Sequence, residues 1–229
     1  MEAFRTRQFQ SSFLFLALLV FAPGKTCAQS YKAEALNEEP PKELAAPIRA
    51  ALSQTGIRVT GPSGPLCDLW VGKAVPGKAN APQTLGVVFP QLAQGAFVGA
   101  IRLPNSIKDY RKQLIKAGVY TLRYALVPEN GNHMGVAPQR DFVLASPASA
   151  DQDAATLTID QTMGLSRKAT GSNHPSVWSL ASPEDHPKSL PSILHLDEGD
   201  QWLVEFSLPL GGASPLPMAL VVVGSAPEA

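Results

Sequence analysis

Val119-Tyr120-Thr121-Leu122-Arg123-Tyr124-Ala125-Leu126-Val127 is the stretch on which the fold turns. Tyr120, Leu122, Tyr124 and Leu126 alternate with Thr121, Arg123 and Ala125 directly after Gly118, a period of two that belongs to a half-buried β-strand. One face is expected in the core and the other toward water or a partner. Outward from it, the alternation returns over residues 201–208, where Trp202, Val204, Phe206 and Leu208 oppose Gln201, Glu205 and Ser207, which assigns Trp202 to the core. Residues 218–223 are apolar on both faces, as in a central strand covered on both sides. Further strands are expected over 57–60, 66–73, 85–89, 96–103, 142–145, 177–180 and 192–196, about ten in all.

The 21 prolines fall mostly between these runs, as in Gly61-Pro62-Ser63-Gly64-Pro65, and act as strand punctuation. Short strands at this spacing without long intervening helices predict a mainly β fold, an antiparallel β-sandwich of jelly-roll or Ig-like type. A short N-terminal amphipathic helix is expected over 42–54, from Leu44, Ile48, Ala51 and Leu52 with Gly56 as a terminal cap. Residues 160–169 have room for another short helix, weakened by Gly164.

The domain plan is a signal peptide over 1–28, a flexible linker over 29–42 and a single β domain over 43–226. The leader joins Arg5 and Arg7 to an apolar run from Phe13 to Ala22, a Pro23-Gly24 break, and small residues Thr26 and Ala28 ahead of the expected cleavage. As a helix that run would reach about 15 Å, roughly half a bilayer's hydrocarbon core, so no membrane anchor is expected in the mature chain. Export to the periplasm or the medium is the implied destination. Cys27 opens a lipoprotein alternative, against which Lys25 puts a charge where acylation signals want small or apolar residues. Cleavage removes three of 19 Lys/Arg and one of 19 Asp/Glu, leaving 16 against 18, a balance that argues against nucleic acid as a partner. Of the two cysteines only Cys67 then remains, too few for an internal disulfide, and its strand context favours a buried, inert thiol.

The runs Gly118-Val-Tyr-Thr-Leu-Arg-Tyr124, Gly131-Asn-His-Met-Gly-Val136 and Arg140-Asp-Phe142 together resemble a signature of uncharacterised secreted bacterial proteins of similar length. The resemblance implies export and a single domain, and no activity.

Among candidate functional residues, the segment 128–140 stands first, because it joins two strands yet is long for a hairpin and holds His133, Met134 and Arg140. These three, with Trp70, are the candidate ligand-binding residues; Trp70 shares a strand face with Asp68 and is the tryptophan expected to be exposed for stacking. The plainer reading has His133 bonding within its loop, Met134 plugging the core edge and Arg140 pairing with an acid. His133 and Met134 are also the candidate metal ligands, a nitrogen and a sulfur suited to copper, with Met163, His174 or His195 to complete a site. No cofactor is otherwise implied.

His174 and His186 sit in Pro-bounded loops and could serve a hydrolytic cluster only if the fold supplied partners. Asp151, Asp153, Asp197, Glu198 and Asp200 could hold calcium, although Asp197-Glu198-Gly199-Asp200 reads more simply as a hairpin turn. Serine-elbow, zinc-protease, phosphate-loop, dinucleotide and paired Cys-x-x-Cys motifs are absent from the sequence. The expectation is therefore an exported, non-enzymatic protein that binds an envelope or extracellular ligand through its strand-connecting loops, with copper binding or redox chemistry at His133 and Met134 as the alternative.

Overall fold

A computed structural model of the chain describes residues 30–127, 139–183, 189–197 and 199–226. Ten strands form one antiparallel sheet: β1 (Lys32–Leu36), β2 (Gly56–Gly61), β3 (Gly64–Val71), β4 (Phe97–Leu103), β5 (Gly118–Leu126), β6 (Asp141–Pro147), β7 (Ser176–Ala181), β8 (Ser192–Leu196), β9 (Gln201–Leu208) and β10 (Leu216–Val223). Their order is β1-β2-β3-β4-β5-β6-β7-β10-β9-β8. The two edge strands, β1 and β8, come back against each other, so the sheet is nearly closed and barrel-like. A sandwich presumes two separate sheets; the ladder here runs through all ten strands without a break.

The enclosed face is filled with side chains. Cys67 and Leu69 from β3, Ile101 from β4, Tyr120, Leu122 and Tyr124 from β5, Trp178 from β7, Phe206 from β9 and Leu220 from β10 make a continuous buried cluster. Among the described residues no helix is long and apolar enough to cross a membrane.

Helix α1 (Ala46–Ala51) is six residues long, and α2 (Ile159–Thr170) twelve; both lie on the outer face of the sheet. Under α1, Leu36, Leu44, Ile48, Leu52, Trp70 and Phe97 form a second core. Helix α2 starts at a reciprocal cap: Gln161 N–H donates to Thr158 Oγ1 (3.3 Å) and Thr158 N–H to Gln161 Oε1 (2.9 Å). Gly171, in the left-handed region at φ 65°, ends it. Gly164 points into open space and is tolerated.

Several expectations need correcting. The stretch read as a flexible linker contains β1, whose backbone pairs with β2 from Lys32↔Thr60 to Leu36↔Gly56; its polar side chains are the exposed ones of an edge strand. Residues 85–89 form a loop, with Leu85 94% exposed, because the Val88 and Phe89 N–H groups donate to the Asp141 carboxylate (2.7 and 2.9 Å) and not to a neighbouring strand. The outward face of β5 does not meet water: Thr121, Arg123 and Ala125 are fully buried. Arg123 donates to both oxygens of Asp151 (2.8 and 2.9 Å) and to the carbonyls of Gly95, Ala155 and Asp153, so all five of its N–H groups are used. A charged residue on an outer face became interior because the segment after β6 folds back over it.

Candidate groove between helix α2 and the sheet

An open groove of about 680 Å³ lies between α2 and the outer face of the sheet, where β5, β6 and β7 run side by side. Leu126 and Val127 at the end of β5, Phe142 of β6, Val177 of β7, and Ile159 and Met163 of α2 give it apolar walls. Arg111, Asp160, Arg167, Asn173 and His174 supply its polar lining.

Each wall has a local cause. Alternation points Phe142 and Val177 outward, away from the core-facing Val143 and Trp178. Helix α2 is fastened by a polar residue: Ser166, fully buried, donates to Ala145 O of β6 (2.7 Å) and accepts from Ser176 N–H of β7 (3.0 Å). That bond holds one turn of the helix tightly to the sheet, while Ile159 and Met163, nearer the helix start, remain half-buried and line the opening.

Arg111 is brought in by a carboxylate. Asp109, 1% exposed, accepts from Arg111 N–H (3.0 Å), Gln113 N–H (2.9 Å), Gln113 Nε2 (3.0 Å) and Val177 N–H (3.0 Å). Burial pushes its carboxyl above the usual range, and the four donors pull the other way without cancelling it. The effect is to tie the turn after β4 to the start of β7, and Arg111 rides on that turn.

The charged groups of the groove are poorly matched within the protein. Arg111 is half-buried, and among the described residues its guanidinium meets no acceptor. Arg167 uses Nε on Asn173 O (3.0 Å) and has no described partner for its other nitrogens. The His174 ring likewise has no described partner, its backbone making the bonds. One carboxylate, Asp160, stands against these two cations.

The other sequence-based candidates are scattered. His133, Met134 and His186 lie outside the described residues. Met163 and His174, named as distant completions of a copper site, both line the groove, and the segment carrying His133 and Met134 leaves β5 through Val127 on its wall. Arg140 donates from Nε to Val127 O (3.0 Å) and from Nη1 to Leu85 O (3.3 Å), fastening backbone. Trp70 is 0% exposed, a correction to its expected role: it does lie on the outer face of β3 beside Asp68, but α1 covers that face and its Nε1 donates to Glu38 O (3.0 Å).

His195 is far along the chain at the sheet's closing edge, stacked on Trp202 and bonded to Asp200 (2.8 Å). Asp151 is committed to Arg123. Among the described residues no group of three or more His, Cys, Asp or Glu side chains is arranged to hold a metal ion. Cys67 is buried in the main core and its thiol is pushed up to about 12 by burial, so it is inert at neutral pH.

Sequence reasoning missed Arg111, Arg167, Phe142 and Ile159 as groove residues. The Thr158-x-x-Gln161 pattern followed by Gly171 was the available signal for where α2 begins and ends. Nothing local connects Arg111 with α2.

These features define an antiparallel, barrel-like β domain with a filled interior and an external groove beneath a helix. No family model, curated protein or solved structure matches the chain.

Proposed function

We propose that the protein is an exported, non-enzymatic binding protein that takes a small, largely apolar envelope or extracellular molecule into the groove under α2. The observation that carries this reading is the groove itself: about 680 Å³ of open space lined by seven apolar and five polar residues. Ligand sites of about 300–1,000 Å³ have this composition. The groove also adjoins the root of the segment 128–140, which the sequence singles out by its length and its His133-Met134 pair. Export rests on the leader and on the resemblance to secreted bacterial proteins. The test is calorimetry with a panel of amphipathic molecules against the wild type and a groove-filling Met163→Trp variant. Binding that disappears in the variant supports the reading, and binding that Met163→Trp leaves intact overturns it.

One observation favours a second reading, copper binding. Met163 and His174 supply a thioether and an imidazole to the same groove from which the His133-Met134 segment departs. Metal analysis of protein purified without chelators, then reloaded with Cu(I), decides it. Near-stoichiometric copper lost in a Met163→Leu/His174→Ala double variant supports it, and only traces in the wild type reject it.

A further inference from the structure

We infer that the groove selects an amphipathic anion, an oxyanion head held by Arg111 and Arg167 and an apolar tail laid over Phe142, Met163 and Val177. This rests on the binding role proposed above and adds the chemical class of the ligand. Three observations support it. The first is the unmatched charge: Arg111 is half-buried against apolar walls with no described acceptor, and Arg167 has only its Nε occupied. A partly desolvated cation without a partner is costly, and an incoming oxyanion removes that cost.

The second is positioning. The backbone of Arg111 is set by its N–H bond to the Asp109 carboxylate, which Gln113 and Val177 also anchor, and the Arg167 guanidinium by its Nε bond to the Asn173 carbonyl, so the turn carrying Arg111 and the head of Arg167 are placed at the rim before any ligand arrives. Guanidinium forks suit carboxylates and phosphates, and pre-set donors lose less on binding. The third is sign: two arginines against one carboxylate, Asp160, leave the lining cationic, in a protein whose formal net charge is +0. The local excess is thus a property of the groove and not of the surface at large.

A carboxylate and a phosphate monoester share the chemistry required of the head, and the experiment separates them. Decanoate, decyl phosphate, decanol and decyltrimethylammonium are titrated calorimetrically into the full mature chain and into Arg111→Gln, Arg167→Gln and Met163→Trp. The expected result is that at least one anion binds, about ten-fold or more tighter than decanol, and that the cation does not compete. Each Arg→Gln change weakens anion binding about ten-fold and leaves decanol binding unchanged; the melting temperature is unchanged in Arg111→Gln, whose guanidinium has no described partner, and falls only slightly in Arg167→Gln, which loses one exposed bond to Asn173 O. Whichever anion binds tighter identifies the head. Decanol or the cation binding as well as the anions, with Met163→Trp still abolishing it, overturns the anion inference and leaves the groove reading standing. If none of the four binds, or Met163→Trp changes nothing, the groove reading falls and the inference with it.

Discussion

Trp70 and Trp202 lie at opposite ends of what a tryptophan on a β-strand can do, and in the reverse of the places their alternation assigns them. Trp70 is fully buried, closed in by Leu44, Ile48, Leu52 and Phe97, with its indole N–H on the Glu38 carbonyl and the Arg102 guanidinium 5.2 Å from its ring centroid. Beside it Asp68, also buried, accepts from Arg58 Nε (2.7 Å) and Arg102 Nη2 (2.6 Å), and Glu38 bridges the same two arginines. Hydrogen bonding to Arg102, aided by the charges of both arginines, holds the Glu38 carboxyl below its usual range. Trp202 is half-exposed at the closing edge of the sheet. His195 stacks on it at 4.0 Å and 14°, and Tyr31, just ahead of β1, lies against it at 4.7 Å.

Trp202 lies at the start of β9, where the β9–β10 register shifts with Val222 of β10 as the extra residue, and its ring is covered by His195 and Tyr31 instead of joining Val204, Phe206 and Leu208 in the main core. A helix explains Trp70. The lesson is that alternation reports which side of a strand a residue takes, while burial depends on what lies over that side. Tyr31 itself reaches Trp202 across Gly61, where an added Cβ would stand 2.7 Å from its ring. Side chains, and not a ladder, therefore join the last gap of the barrel.

The contrast can be broken most directly by truncation. Trp70→Ala is expected to cost about 3–5 kcal/mol, the range for large buried aromatics, read by urea denaturation. A loss below about 1 kcal/mol would mean that the core under α1 contributes little. A smaller effect sharpens the picture from the inner face of β3. The Cys67 thiol ionises near 9.0 when free and at about 12 in its buried site. The raised group keeps its full contribution below the unfolded value; above it the unfolded chain sheds a proton that the fold retains, and stability falls as pH rises toward 12. The decline is about 1.4 kcal/mol per pH unit. Denaturation curves from about pH 8 to about pH 11 should show a steeper alkaline fall in the wild type than in Cys67→Ala, and equal slopes would contradict the burial of the thiol. The smallest effect is reserved for Trp202→Ala, at about 1 kcal/mol, the value of its ring contacts at a half-exposed site. A cost equal to that of Trp70→Ala would erase the distinction between the two regions.

Much of the sheet was legible. The alternations at 119–127 and 201–208 and the doubly apolar run at 218–223 correspond to β5, β9 and β10, the last lying between β7 and β9 with Met218 and Leu220 in the main core and Ala219 and Val221 packed on the other side. The expected hairpin between residues 196 and 201 is an antiparallel pair, Leu196↔Gln201, with Gly199 and Asp200 at positive φ. β1 was not legible, because an edge strand with three exposed residues of five carries little apolar signal. The groove was half legible: its adjoining segment, Met163 and His174 were named, whereas Arg111 and Arg167, separated by more than fifty positions, share no local pattern.

Local chemistry alone, then, settled most of the strands, that the fold is antiparallel and mainly β, and that Cys67 is buried. Period-two patterning, prolines and turn residues act within a few positions of one another, so a reader of the chain can see them. Tertiary structure decided the rest: one continuous sheet instead of two, an outer face of β5 sealed around Arg123, Trp70 inside and Trp202 half outside, and two arginines at one groove. Each of these depends on which remote segment comes to lie over a strand, and the free energy of burial is set by that covering surface and not by the residue's own neighbours in sequence.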